Sequence, residues 1–181
     1  MPGKCLSAVA VAALLAGCAS NVTKSDGAAA APQVVKANGA AIVLNLTGST
    51  VATSAKDWNT FRGIWHEQCA QEFGADGALF TMQEGDAQPT GADGTLVVVN
   101  VADFRYVSTG ARIAFGIMTG NAFVNAEVTF RDLKTGDVRE TKHYDTTSSA
   151  WEGVFSGMTT KQVHAMCHEI VGQVSALQGT S

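Results

Sequence analysis

The chain has 181 residues, a formal net charge of −4 at pH 7 and a mean hydropathy of +0.10. Its 12 lysines and arginines form no cluster and are outnumbered by 16 acidic residues, which excludes the basic surface of a nucleic-acid-binding protein. No apolar stretch reaches the about 20 residues that a membrane-spanning helix requires.

The chain begins with the pattern of a secretion signal. Lys4 precedes a short apolar run at residues 6–17, and small residues lead to Cys18. The stretch Leu15-Ala16-Gly17-Cys18 resembles the lipobox of bacterial lipoproteins, in which the signal is removed before the cysteine and acyl chains are attached to it. We therefore expect residues 1–17 to be a lipoprotein signal peptide and Cys18 to carry the lipid. A plain signal peptide that happens to contain a cysteine is the alternative.

The residues after Cys18 indicate where the protein is sorted and how it is organised. Ala19 occupies the position at which lipoproteins retained in the inner membrane usually have Asp, so the resemblance implies the outer membrane, with the domain facing the periplasm. Residues 18–39 show no sustained apolar period, and we expect the lipidated cysteine to be followed by a flexible tether. Residues 40–181 are expected to form a single periplasmic domain.

The first half of that domain reads as a strand, a helix and a second strand. Residues 40–48 alternate as a strand does. A helix follows, capped by Ser54 or Asp57 and ended by Gly74, which we expect to adopt a left-handed conformation. Its buried stripe is Trp58, Phe61, Trp65, Cys69 and Phe73. Residues 78–82 should form a strand parallel to the first.

The second half reads as three strands and a helix. Residues 95–107 predict a central strand, and residues 124–131 and 138–146 predict a hairpin closed by the Gly-containing loop 132–137. The last helix should begin with a capping box of Thr159 and Gln162. Its buried stripe is Val163, Cys167, Ile170, Val174 and Leu177. These elements predict an α+β fold, a two-layer sandwich in which a mixed, mostly antiparallel sheet of about five strands carries two helices on one face.

Cysteine and histidine recur in the two predicted helices. Three interpretations of Cys69 and Cys167 are open: a disulfide, which an oxidising compartment permits, a pair of buried free thiols, or part of a zinc site. The zinc set would combine imidazoles with thiolates. It consists of His66, Cys69, His164, Cys167 and His168.

Motifs for catalysis or cofactor binding are missing from the sequence. The chain lacks a G-x-S-x-G elbow, and the segment HEQCA departs from the zinc-protease motif H-E-x-x-H at its fifth position. HAMCH lacks the first cysteine of a haem attachment motif, and no glycine-rich segment ends in G-K-[ST]. We therefore predict no catalytic residues, no cofactor and no enzymatic activity.

Two glycine-interrupted segments carry unusual apolar residues. One lies before the first strand of the predicted hairpin, and the other lies before the last helix. Their apolar side chains either fold back on the core or form a patch that an envelope protein or a second copy covers. The patch residues would be Ile113, Phe115, Ile117, Met118, Trp151 and Phe155.

The stretches VNVADFRYV, GARIAFG, GNAFVNAEVTFRD and KTGDV resemble a family of small bacterial lipoproteins known as domain of unknown function 4410. The likeness covers roughly residues 40–177 and implies a fold but no catalytic residues. We therefore expect a lipid-anchored outer-membrane lipoprotein that serves as a non-enzymatic binding or assembly factor of the cell envelope. Alternatives are a metal- or small-molecule-binding periplasmic protein that uses the His/Cys cluster, and an accessory subunit of an envelope transport or secretion complex.

Overall fold

The computed structural model describes residues 21–24, 40–108, 121–147 and 158–179. These residues form one six-stranded sheet with two long helices on one face. The elements in chain order are β1 (Asn21–Lys24), β2 (Ala41–Gly48), α1 (Thr50–Thr53), α2 (Trp58–Ala75), β3 (Leu79–Gln83), β4 (Gly94–Arg105), β5 (Phe123–Asp132), β6 (Val138–Thr147) and α3 (Met158–Gln178).

The strands lie in the order β1-β6-β5-β4-β2-β3. Strand β2 runs parallel to both β3 and β4, and the other neighbouring strands are antiparallel. The two-layer α+β prediction is confirmed, including the parallel pair and the hairpin of β5 and β6. None of the helices in the described ranges combines the length and apolar character that crossing a bilayer would require.

Alternating side chains build the main core between the sheet and the helices. In β5, every second residue from Val124 to Phe130 is buried, and the residues between them face away from the helices. Phe61 of α2 stacks on Phe104 of β4 with ring centroids 4.1 Å apart. Burying one side chain of this size stabilises the fold by about 1.5 to 3 kcal/mol. The helices contribute Phe61, Trp65, Cys69 and Phe73 from α2, and Val163, Met166, Cys167, Ile170 and Val174 from α3.

Helix α2 ends differently from the sequence prediction. Gly74 lies inside the helix, and Gly77 instead has the positive φ angle, +75°. The N–H of Ala78 donates to the carbonyl of Phe73, which closes the helix end. The chain therefore turns three residues later than expected, because the left-handed residue is needed where it reverses into β3. Asp57 precedes the helix but makes no side-chain capping bond, while Ser49 caps the short α1.

Strand β1 lies within the segment that the sequence predicts as a flexible tether. Its four residues pair antiparallel with β6, so that Asn21 lies opposite Thr147 and Lys24 opposite Tyr144. The domain therefore begins closer to Cys18 than residue 40, and residues 25–39 connect two strands of the same sheet.

The loop between β5 and β6 has the predicted geometry. Gly136 has a φ angle of +84°, as a left-handed loop residue requires. The carboxylate of Asp132 accepts the backbone N–H groups of Thr135 at 3.0 Å and Lys134 at 2.8 Å, and it pairs with Arg139. The bonds from Thr135, Arg139 and Lys134 together hold the pKa of Asp132 below its usual 3.8.

Asp132→Asn is expected to make the free energy of unfolding less dependent on pH under acidic conditions. A carboxyl group with a lowered folded-state pKa contributes stability above its unfolded pKa of 3.8, and this contribution is lost as the pH falls through the lower folded value. The amide oxygen of Asn can still accept the loop N–H groups but does not titrate. Chemical denaturation from above pH 3.8 to below it should show a smaller loss of unfolding free energy in the variant than in the wild type. Parallel curves for the two proteins would contradict the expectation.

Candidate functional site between the two long helices

A disulfide joins α2 and α3 at the centre of their contact. The Sγ atoms of Cys69 and Cys167 are 2.06 Å apart, and their Cα atoms are 5.0 Å apart. Both cysteines are fully buried, because each lies on the apolar stripe of its helix. Of the three interpretations that the sequence left open, the structure contains the disulfide.

Next to the disulfide, one carboxylate binds two imidazole rings. Nδ1 of His164 lies 3.2 Å from Oε1 of Glu72, and Nδ1 of His168 lies 3.0 Å from Oε2. The two histidines are one helical turn apart on α3, so both reach the same residue of α2. The Glu72 side chain is 16% exposed, whereas that of His168 is 74% exposed. Such partly exposed pairs contribute at most about 1 kcal/mol each.

The predicted zinc set is not assembled. The two cysteines are bonded to each other, so neither presents the thiolate that a zinc ion binds. His164 and His168 contact different oxygens of Glu72 and do not converge on a single position, as ligands of one metal ion would. His66 lies in a separate groove beside β3. In the parts of the chain that the structure describes, no group of three or more His, Cys, Asp or Glu side chains is arranged to hold a metal ion.

The groove that contains His66 runs between α2 and β3. It has a volume of about 450 Å³ and is open to solvent along one side. Arg62 and Glu84 form an ion pair across it, and the His66 ring lies 6.3 Å from the ring of Phe80. The lining residues are Asn59, Arg62, Gly63, His66, Met82 and Glu84. Its lining is more polar than that of a typical ligand pocket, although its volume falls in the usual range.

Helix α3 also forms hydrogen bonds with the residues on either side of segment 109–120. The hydroxyl oxygen of Thr159 accepts the N–H of Val107 at 3.0 Å, and the Gln162 amide donates to the carbonyl of Ala122 at 2.9 Å. Thr159 and Gln162 thus make contacts 52 and 40 residues away in sequence, instead of the local capping box that their spacing predicts. Buried backbone groups at these strand ends need partners, and this need outweighs the local cap.

Thr159→Val is expected to lower the free energy of unfolding by about 1 to 3 kcal/mol, because it leaves the buried N–H of Val107 without its acceptor. Thr160→Val is the matched control, since Thr160 is the next residue of the same helix and is not fully buried. Urea unfolding of the two variants measures the difference. Equal losses in both would show that the Thr159 bond contributes nothing specific.

Several predicted site residues lie outside the described ranges. They are the lipidation residue Cys18 and the patch residues Ile113, Phe115, Ile117, Met118, Trp151 and Phe155. Glu72 is the residue of this site that the sequence analysis missed. It lies three residues after Cys69 on α2, and the i, i+4 histidines of α3 were the signal for an acidic partner.

The chain is similar to solved structures of several bacterial proteins. The chain is similar to PelC from Paraburkholderia phytofirmans, described as a dodecamer, with 16% identity, coverage of 86% of this chain and 97% of that chain, and a TM-score of 0.50. It is also similar to a Xanthomonas campestris protein of domain-of-unknown-function family 330, with 9% identity, coverage of 83% and 92%, and a TM-score of 0.52. Lipoprotein GNA1162 from Neisseria meningitidis is 12% identical, with coverage of 78% and 99% and a TM-score of 0.39.

At these identities the likeness to PelC and to the Xanthomonas protein establishes the fold alone. No family model matches the chain, and no curated protein does. Membership of the domain-of-unknown-function 4410 family therefore stays a prediction.

Proposed function

We propose that this chain is a lipid-anchored outer-membrane lipoprotein whose periplasmic domain serves, without catalysis, as a binding or assembly factor of the cell envelope and acts as an assembly of identical copies. The observation that carries the proposal is the likeness to PelC, described as a dodecamer, over 86% of this chain and 97% of that one. The N-terminal lipobox-like stretch ending at Cys18 supports the anchoring part of the proposal.

The open sheet supports assembly from identical copies. Its two edges are different, since β1 forms one and β3 the other. A contact between unlike surfaces of identical copies is head-to-tail, and it produces a ring where the rotation closes. Within the described ranges, the outer edge of β3 has no partner strand, and Leu79 on this strand is 66% exposed. An exposed edge of this kind is a surface on which another chain can pair.

Native mass spectrometry of the mature lipidated protein in detergent tests the assembly. We expect a closed oligomer for the wild type and a shift toward monomer for Leu79→Lys, because a charge on an edge strand opposes pairing. Val138→Lys is the matched control, since Val138 is a similarly exposed apolar residue, at 59%, at the hairpin end of β6. A wild-type protein that is monomeric at micromolar concentration would overturn the assembly part of the proposal.

Crosslinking in native envelopes tests the partner. Crosslinks between copies of this chain support the assembly, and crosslinks to subunits of a transport or secretion system would instead favour the accessory-subunit alternative. Mass spectrometry of the N-terminal peptide tests the anchor, since an unmodified thiol at Cys18 would overturn it.

The groove beside α2 supports a second candidate function, the binding of a small polar molecule. Arg62 and His66 supply hydrogen-bond donors, and Asn59 supplies an amide. Inorganic phosphate serves as a first probe of anion binding there. Thermal stabilisation by phosphate in the wild type, lost in Arg62→Gln, would support this function, and an unchanged melting temperature in the wild type would exclude phosphate-like ligands.

A further inference from the structure

The position of β1 limits the distance between the anchor and the folded domain. Asn21 is the first residue of the sheet, and it lies opposite Thr147 at the end of β6. Only Ala19 and Ser20 separate it from Cys18. Three residue steps span at most about 11 Å even when fully extended. A domain that began at residue 40 would be free of this restriction.

We propose that acylated Cys18 holds one corner of the domain, the β1–β6 edge at the Thr147 end of β6, against the lipid surface. The inference rests on the proposed lipid anchor and deepens it. Asn21 cannot lie farther from Cys18 than its three-residue reach, and its strand is part of the sheet. The corner therefore stays at the headgroups while the remainder of the domain extends into the periplasm.

The residues in register with Asn21 fit a lipid headgroup surface. Strand pairing aligns Asn21, Thr147, Phe123 and Arg105 in one row across four strands. The guanidinium of Arg105 lies 5.7 Å from the centre of the Phe123 ring. The row contains a cation and an aromatic ring but no carboxylate. A basic side chain near an anionic bilayer is attracted by about 1 kcal/mol, and its apolar stem can lie along the interface.

The opposite end of the sheet lies far from the anchor. Val138 lies nine residue steps from Thr147 on β6, which corresponds to about 30 Å along an extended strand. Both ends carry carboxylates: Asp93, Asp132 and Asp137 in the loops at the far end, and Asp103 and Asp145 two positions from the Asn21 row. The short reach of Cys18, and not charge, therefore determines which end lies at the lipid.

Fluorescence quenching on vesicles tests the orientation. Mature lipidated protein is placed in vesicles of phosphatidylethanolamine and phosphatidylglycerol that contain headgroup-nitroxide lipid, with one fluorophore on Thr147→Cys or on Val138→Cys. Both positions are exposed and lie on the same strand, and the native pair Cys69 and Cys167 is bonded and buried. We expect quenching several times stronger at position 147 than at position 138.

A linker variant is the control for the short connection. Inserting about twelve Gly and Ser residues between Ser20 and Asn21 adds a root-mean-square reach of about 20 Å. The insertion should reduce the difference between the two probes while leaving the thermal stability unchanged. Equal quenching at the two positions in the native linker, or stronger quenching at 138, would overturn the inference.

The mass of the N-terminal peptide separates the two possible failures. If Cys18 is acylated and the probes are quenched equally, the corner placement fails and the proposed anchor stands. If Cys18 carries no acyl chain, the anchor fails, and the placement fails with it.

Discussion

Replacing Cys69 and Cys167 together with alanine is expected to lower the free energy of unfolding by about 4 to 5 kcal/mol. The bond closes a loop between residues 98 positions apart, and in the chain-entropy model a loop of about this length restricts the unfolded chain by that amount. For a domain of this size, the loss corresponds to a fall in melting temperature of roughly 10 to 20 °C. Both sulfurs are fully buried on the apolar stripes, so the variant also loses some packing.

Guanidinium unfolding with and without dithiothreitol measures the effect of the bond. The wild type should lose stability on reduction, and the double alanine variant should be insensitive to the reductant. Glu72→Gln is the matched control, since it weakens the contact between the same two helices without touching the bond and, with two pairs affected, should cost at most about 2 kcal/mol. A reduced wild type as stable as the oxidised protein would show that the disulfide does not stabilise the fold.

Gly94→Ala is expected to lower the free energy of unfolding by about 4 kcal/mol or more. A Cβ at this position would lie 2.0 Å from the backbone oxygen of Ala41 on the paired strand β2. The backbone of a strand paired on both sides, as β2 is, cannot move aside as a flexible side chain can. Gly94 also has a φ angle of +152°, a conformation that costs other residues about 1 to 3 kcal/mol. Overpacking of this severity adds a similar amount.

Gly74→Ala is the matched control for that substitution. Gly74 lies in α2, and a Cβ there would have no heavy atom within 4 Å. Alanine is favoured over glycine inside a helix, so this variant should be more stable than the wild type by roughly 0.5 to 1 kcal/mol. In urea unfolding, we expect Gly94→Ala to lower the free energy of unfolding and Gly74→Ala to raise it. A loss of less than about 1 kcal/mol for Gly94→Ala would contradict the close approach of β2 and β4.

The strands and long helices were predictable because burial leaves a period in the sequence. In β5, every second residue from Val124 to Phe130 is buried and its neighbours are more exposed, and the α2 stripe recurs every three or four residues. Strand β1 leaves no such signal. It has only four residues, NVTK, at the edge of the sheet, which is too short for an alternating pattern to stand out. Its formation depends on pairing with β6, which is more than a hundred positions away in sequence.

The candidate site was predictable only in part, for the same reason. Both cysteines lie on apolar stripes, so a disulfide between them was one of the predicted alternatives, and the structure contains it. Glu72 could not be assigned without knowing which face of α2 meets α3. Thr159 and Gln162 match a local capping motif, but they form hydrogen bonds with Val107 and Ala122. These residues are distant in sequence and come close only in the folded chain. Local patterns thus identified the elements, and long-range hydrogen bonds determined the contacts of these polar side chains.

The covalent link between the two long helices also sets an order of events during synthesis. Cys69 is synthesised 98 residues before Cys167, so the bond can form only after α3 has been made. Until then α2 has no α3 beside it, and the apolar face of the sheet is partly uncovered. A nascent chain that lacks α3 is consequently less stable than one in which both helices and their bond are in place.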